Sequence, residues 1–147
     1  MSELPADRSA LSTEGTLLEV LGMSYIELTK ERVVMTMPVD ARTKQPAGLL
    51  HGGASVALAE TAASVGTWLH IDPLTQAAVG IEINANHVRS ARDGHVQAVA
   101  TVLHKGRTMM VWDVRITDQK ERLLCVARCT VAIIDQAPPR ETSLPKG

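Results

Sequence analysis

Aromatic side chains are almost absent from this sequence. Its 147 residues include no phenylalanine, two tryptophans and one tyrosine, and the formal net charge is −1. Proteins that bind single-stranded nucleic acids use basic grooves in which aromatic rings stack on the bases. The composition therefore argues against a nucleic-acid partner.

Long apolar runs are missing as well. No stretch approaches the roughly 18 apolar residues of a membrane span, and Met1 to Ala10 are polar and acidic, without the apolar centre of an export signal. Hydrophobic residues make up 45% of the chain and charged residues 21%. We predict one soluble cytoplasmic domain with no membrane partner.

Cysteine is scarce, with Cys125 and Cys129 as its two occurrences. On one strand they would share a face about 13 Å apart, too far for a disulfide. No further Cys or His lies at the short spacing of a metal site. We expect reduced core residues, with no metal and no other cofactor.

Apolar periodicity predicts one central helix and several strands. We expect a short helix with caps at Thr13 and Gly22, a hairpin over 23–37, and four strands within 77–89, 96–103, 108–117 and 122–134. Short turns between successive strands indicate an antiparallel sheet, so the fold class is α+β. Residues 1–12 are expected to be a flexible arm, 13–134 the domain and 135–147 a disordered tail.

The alternation of apolar and polar residues within 77–89 predicts which side chains of that strand are buried. Val79, Ile81, Ile83 and Ala85 are expected on one buried face, with Glu82, Asn84 and Asn86 on the other. If this long strand lies outermost, it leaves a free edge that another chain can pair with.

The central helix, from Ala54 to Leu69, contains one carboxylate, Glu60, among small and apolar residues. An unpaired buried carboxylate is costly, so Glu60 must meet polar groups, open onto a cavity or have a raised pKa. Each of these outcomes suggests a functional site. At the far end of the helix, His70 suits the negative end of the helix dipole.

The start of this helix has the composition of an anion cradle. Gly52 and Gly53 allow a ligand to approach unpaired backbone amides closely, and those amides attract negative charge. His51 and Gln45 lie just upstream. Together they form a plausible cradle for a developing oxyanion.

Two segments resemble one family. They are Gln-Pro-Ala-Gly-Leu-Leu-His-Gly-Gly-Ala-Ser, from Gln45 to Ser55 with Glu60 following, and Glu-Ile-Asn-Ala-Asn-His-Val-Arg-Ser, from Glu82 to Ser90. Both resemble the hotdog-fold thioesterases of the branch containing 1,4-dihydroxy-2-naphthoyl-CoA hydrolase and the enterobactin proofreading thioesterase. The resemblance spans 23–134 and rests on two long motifs in order. It implies an antiparallel sheet wrapped around the long helix, in a homodimer that assembles into a tetramer.

The resemblance also implies an activity: hydrolysis of an aromatic or medium-chain acyl-CoA, such as 1,4-dihydroxy-2-naphthoyl-CoA or a hydroxybenzoyl-type substrate. It makes Glu60 the catalytic carboxylate, which either attacks the thioester or activates a water. A hydratase or dehydratase acting on acyl thioesters and a non-catalytic acyl-CoA-binding protein are the alternative functions. At Ala47 relatives often carry Phe, so the acyl pocket is expected to differ in shape.

The remaining site residues follow from the same resemblance, each with a structural alternative. The predicted catalytic set is Glu60, His51, Gln45, Gly52 and Ser64, and the predicted substrate and CoA set is His87, Arg89, Arg107, Ala47 and Gly53. His51 would organise the site, the alternative being that it only caps the helix, and Ser64 is nearly as well explained as a small core residue. Basic residues outnumber acidic ones between Ala85 and Arg128, which suits the phosphates of coenzyme A, although solvated strand faces explain each one singly.

Helix geometry separates two of these residues. His51 and Glu60 would lie about 13 Å apart and about half a revolution around the helix from each other. They cannot easily meet within one chain. A two-fold dimer would place Glu60 and Ser64 of one subunit opposite Gln45, His51 and Gly52 of the other, so we predict an active site shared between subunits.

Overall fold

The alternating runs of the sequence form one six-stranded antiparallel sheet in the computed structural model, which describes residues 11–137. The strands are β1 (Ser24–Leu28), β2 (Arg32–Pro38), β3 (Gln76–His87), β4 (His95–Lys105), β5 (Met109–Asp118) and β6 (Leu123–Asp135). Their order across the sheet is β1-β2-β4-β5-β6-β3. The predicted hairpin and four later strands are confirmed, and β3 is an edge strand.

Two helices accompany the sheet, α1 (Leu17–Leu21) and α2 (Gly52–Trp68). Gly22 ends α1 in the left-handed conformation, as predicted, with φ of 70°. The predicted cap at Thr13 is wrong, because the residue preceding the helix is Thr16, which makes no side-chain capping bond. Five residues cannot hold a helix by themselves, and Leu18 and Leu21 anchor this one by packing on the core.

The sheet packs its inner face against α2. That face carries Met35 and Met37 from β2 and Trp112 from β5, all fully buried. The Trp112 ring lies against Gly66, where a β-carbon would collide with it, and its indole N–H donates to Thr67 Oγ1 at 2.9 Å. Since a buried indole N–H needs an acceptor, this bond helps to fix where the helix sits on the sheet.

Cys125 and Cys129 are buried free cysteines on β6, as expected. Burial raises the pKa of Cys125. Burial, with the nearby carboxylates of Glu60 and Glu82, raises the pKa of Cys129 to about 12. At neutral pH both groups are thiols, and a thiol is a poor nucleophile.

The expected alternation along β3 is wrong in its first half. A bulge between Gly80 and Glu82 interrupts the pairing with β6, so Gly80 faces α2 while Val79 and Ile81 are 43% and 59% exposed. Beyond the bulge Ile83 and Ala85 pack against the core, as predicted. One extra residue reverses the side of the sheet to which each later residue points.

His70 also differs from expectation. It lies beyond the end of α2, where its Nε2 is 2.7 Å from the Lys30 carbonyl oxygen and its ring lies 6.3 Å from that of Trp112. Burial lowers the pKa of His70, which disfavours the cation that the dipole interpretation requires. The ring is held by packing and a backbone contact instead.

The predicted arm and tail fall largely outside the described residues. At the carboxyl end, Asp135 still belongs to β6, and the Gln136 side chain donates to the Pro73 and Gln76 carbonyl oxygens at 2.9 Å each. The ordered domain therefore extends past residue 134. Neither α1 nor α2 is long and apolar enough to cross a membrane.

Candidate active site

The N-terminal end of α2 borders two cavities. The first, called the polar cavity after the polar groups it contains, has a volume of about 430 Å³. Its lining includes Gln45, Gly52, Ser55, His87 and Arg89 together with the apolar side chains of Leu49, Leu50, Val88 and Leu124. The second, called the apolar cavity, has a volume of about 300 Å³, and its lining includes Leu17, Leu21, His51, Gly53, Ala54 and Ala57. The first turn of the helix separates them.

A hydrogen bond between two loops holds the two sides of the polar cavity together. The Leu50 N–H donates to the Ala91 carbonyl at 2.8 Å, which ties the segment before α2 to the loop after β3. This contact places Arg89 near Gln45, although they are far apart in sequence. Four of the ten predicted site residues thereby share one cavity: Gln45, Gly52, His87 and Arg89.

Gln45 stands in a tight turn. Its carbonyl accepts from the Gly48 N–H at 2.9 Å, and Gly48 has the positive φ of 81° that this turn requires. The side-chain Oε1 accepts from the Ala47 N–H, so the carboxamide oxygen is occupied. What remains for a ligand is the NH₂ group, a hydrogen-bond donor.

Gly52 supplies the backbone donor of the polar cavity. Within residues 11–137 its N–H has no acceptor, whereas the Ala54 and Ser55 amides both donate to the His51 carbonyl. A β-carbon at Gly52 would lie 3.0 Å from His87 Nε2, so a larger residue there would require the His87 ring to shift slightly. The result is an open amide at the positive end of a helix, beside an imidazole.

His51 caps α2, which is the structural alternative for this residue. Its Nδ1 accepts from the Gly53 N–H at 2.8 Å, so the proton of the neutral ring is on Nε2. The His51 N–H in turn donates to the carbonyl of Thr43, whose hydroxyl bonds to the Pro38 carbonyl at 2.7 Å. Thr43 is almost fully buried and positions His51, a role that sequence reasoning missed.

Glu60 lies outside both cavities. Its Oε1 rests against Gly80 of β3, where any β-carbon would collide with it, and within residues 11–137 the Glu60 carboxylate makes no hydrogen bond. The carboxylate is partly exposed, at the edge of the sheet where α2 runs beside β3. The outcomes expected for Glu60 included polar partners and an opening onto a cavity, and within residues 11–137 the carboxylate has neither a hydrogen-bond partner nor a place in the two cavities; it is partly open to solvent instead.

Ser64, Ala47 and Arg107 are not brought into the polar cavity either. Ser64 is partly exposed on α2, and Ala47 is exposed in the turn before the helix. Arg107 lies in the turn after β4, whereas the loop that lines the cavity precedes β4. The strand between them is more than about 30 Å long. Gly53 lines the apolar cavity. Within 11–137, no three His, Cys, Asp or Glu side chains gather as a metal site would require.

Ser55 and Ser90 line the polar cavity but were not among the predicted site residues, and Ser55 is the more buried of the two. It is 2% exposed and lies in the first turn of α2. Its position three residues after Gly52, on the same helix face, could have indicated it.

The fold and this site define a hotdog protein, with one helix wrapped by an antiparallel sheet and a polar cavity at the helix N-terminus. Residues 47–125 match the Thioesterase superfamily. The chain belongs to that superfamily, and the hotdog fold expected from the sequence is confirmed.

Relatives that are named as thioesterases agree with this assignment. The 1,4-dihydroxy-2-naphthoyl-CoA hydrolase of Escherichia coli (strain K12) is 50% identical over 121 residues, which are 82% of this chain and 88% of that protein. The proofreading thioesterase EntH of Cronobacter turicensis is 45% identical over 120 residues, 82% of this chain and 87% of that protein. The crystal structure of a mutant of thioesterase PA1618 from Pseudomonas aeruginosa superposes with a TM-score of 0.83 at 42% identity, covering 86% and 91% of the two chains.

Proposed function

We propose that this protein is an acyl-CoA thioesterase that hydrolyses an aromatic or medium-chain acyl-CoA to the free acid and CoA. The observation that carries this proposal is the polar cavity, where an open backbone amide, a carboxamide NH₂ and two basic side chains converge at one helix end. Membership of the Thioesterase superfamily supports it. A relative named for 1,4-dihydroxy-2-naphthoyl-CoA makes that compound the first natural candidate substrate.

Each group has a role in this proposal. The Gly52 N–H binds the thioester oxygen, the Gln45 NH₂ donates a hydrogen bond nearby, and His51 holds the helix start in place. His87 and Arg89 face the coenzyme in the same cavity. Glu60 either attacks the carbonyl carbon or activates a water, and the C–S bond then breaks to release the thiol.

The catalytic carboxylate is proposed to come from a second subunit. The polar cavity lacks a carboxylate from its own chain, and Glu60 lies beside β3, the strand whose edge is unpaired. Val56, Ala57 and Trp68 are only partly covered and lie on the same side of α2 as Glu60. A homodimer joined at β3 would cover these residues and bring Glu60 to the partner's cavity; pairing of dimers into a homotetramer is our extension of this proposal.

The test is release of free thiol from benzoyl-CoA by the wild-type protein and by the Glu60→Ala variant. Loss of a general base predicts a turnover lower by about 10²–10⁴-fold, with unchanged thermal unfolding. No thiol release by the wild type would favour a dehydratase or a binding protein. Full activity of the variant would remove Glu60 from the mechanism.

The role of Glu60 requires a separate experiment. In a single turnover in heavy-oxygen water, attack by Glu60 expels the thiolate and forms a mixed anhydride, and water adding to the Glu60 carbonyl of that anhydride leaves the label on the carboxylate. Activation of water puts the label directly into the product acid and leaves Glu60 unlabelled. Mass analysis of the protein and of the product distinguishes the two.

A further inference from the structure

Ser55 contributes a hydroxyl group to the polar cavity that no structural bond occupies. Its backbone N–H donates to the His51 carbonyl at 3.2 Å, but within 11–137 its side-chain oxygen has no hydrogen-bond partner. The one side-chain nitrogen or oxygen in those residues that is both sealed from solvent and unpartnered is His70 Nδ1. Ser55 Oγ is therefore not sealed off, and the space it meets is the cavity that Ser55 lines.

The direction of the side chain brings this hydroxyl towards Gly52. Side chains of an α-helix tilt towards its N-terminus, so Ser55 lies over the turn that contains residue 52. Gly52 carries the open amide and lines the same cavity. Two free donors therefore stand on one face of the first turn of α2.

We propose that the Ser55 hydroxyl is the second donor of the oxyanion hole, acting on the thioester oxygen together with the Gly52 N–H. This inference rests on the proposed thioester hydrolysis. When the nucleophile adds to the carbonyl carbon, the C=O π electrons move onto oxygen and both donor bonds strengthen. When the C–S bond breaks, the carbonyl re-forms and Ser55 keeps its proton throughout.

A second donor changes the rate for an electrostatic reason. The charge on the oxygen is larger in the transition state than in the bound ester, so a preorganised donor stabilises the transition state more than the substrate. Ser55 is almost fully buried, so its hydroxyl needs little reorganisation.

The experiment compares wild type with Ser55→Ala, Ser55→Cys and Ser55→Thr, using benzoyl-CoA. For Ser55→Ala we expect kcat to fall by about 10²–10³-fold, as for loss of one oxyanion-hole donor, with KM changed by less than about threefold. Ser55→Cys, a weaker donor of similar size, should give an intermediate kcat, and Ser55→Thr should restore most of the activity. Thr36→Val is the control, since it removes a hydroxyl bonded to the Val96 carbonyl, remote from the cavity.

Several results would overturn the proposal. They are an unchanged kcat in Ser55→Ala, a loss confined to KM, a loss matched by a fall in thermal stability, or an acyl group found on Ser55 by mass analysis, which would make it a nucleophile. Absence of thiol release by the wild type overturns the thioesterase assignment and this inference together. Wild-type turnover with a fully active Ser55→Ala variant overturns the inference alone.

Discussion

At the scale of single residues, chemistry depends on which groups remain free after folding. Gln45 uses its carboxamide oxygen and His51 its Nδ1 in local bonds, so each is left with a donor. Gly52 keeps its amide open. Three hydrogen-bond donors therefore lie at the positive end of α2. In the proposed mechanism, this is where the thioester acquires negative charge during hydrolysis.

The proposed binding of the coenzyme A part of the substrate can be tested at Arg89. Because its guanidinium lines the polar cavity and remains exposed, we expect it to contact a coenzyme phosphate. Arg89→Ala should raise KM for benzoyl-CoA by about tenfold, the cost of one hydrogen bond to a charged group. KM for the corresponding pantetheine ester, which lacks the nucleotide phosphates, should change little.

Arg115→Ala is the matched control for that measurement. Arg115 is also an exposed arginine, but it pairs with Asp113 at 3.2 Å on β5 and lines neither cavity. It should leave both KM values unchanged. An equal loss for both esters in Arg89→Ala would make Arg89 a structural residue.

At the scale of elements, the two edges of the sheet differ. β1 is a short edge of five residues, whereas β3 has twelve residues and exposes Val79 and Ile81. Each edge has a bulge, at Ile26 in β1 and at Ile81 in β3. Long apolar edges invite pairing with another chain.

We therefore expect Ile81→Lys to shift the protein from dimer towards monomer. In an isologous contact across β3 the two lysines would lie near the symmetry axis and repel each other. Ile26→Lys is the control, because Ile26 is 61% exposed and Ile81 59%. Light scattering should detect a lower mass for Ile81→Lys but not for Ile26→Lys, and only Ile81→Lys should lose turnover. Dissociation by Ile26→Lys alone would place the interface on β1.

At the scale of the whole molecule, the groups proposed for catalysis lie apart in one chain. Gln45 and Gly52 line the polar cavity, whereas Glu60 lies against Gly80 of β3, outside that cavity. The proposed two-fold axis beside β3 would create two identical sites from the two chains. Activity would then be a property of the dimer.

Mixed dimers test this directly. We combine a Glu60→Ala chain with a chain carrying Gln45→Ala and His51→Ala, each nearly inactive as a homodimer. If sites are shared, one of the two sites in a mixed dimer contains only intact residues. Since random exchange makes half of the dimers mixed, roughly a quarter of wild-type activity should return. Mixed dimers confirmed by mass but without activity would mean that each chain builds its own site.

Local patterns in the sequence determined the elements of this protein. Period-two runs produced the hairpin and the four later strands, the apolar run around Glu60 produced α2, and Gly22 ended α1. These features depend on residues close together in the chain, whose backbone and side-chain preferences act over a few residues. The motif from Gln45 to Ser55 likewise pointed to the helix start, where the structure has the polar cavity.

Only the tertiary structure decided which of those residues meet. The bulge at Ile81 turned Val79 outward and gave Glu60 its place beside Gly80, and no period in the sequence indicated it. The ring of His87 lies against Gly52, and Ser55 faces the same cavity, because the loop after β3 is tied to Leu50. Such contacts join residues that are distant in the chain, so they depend on strand order and register, which are set by the packing of the whole sheet on α2.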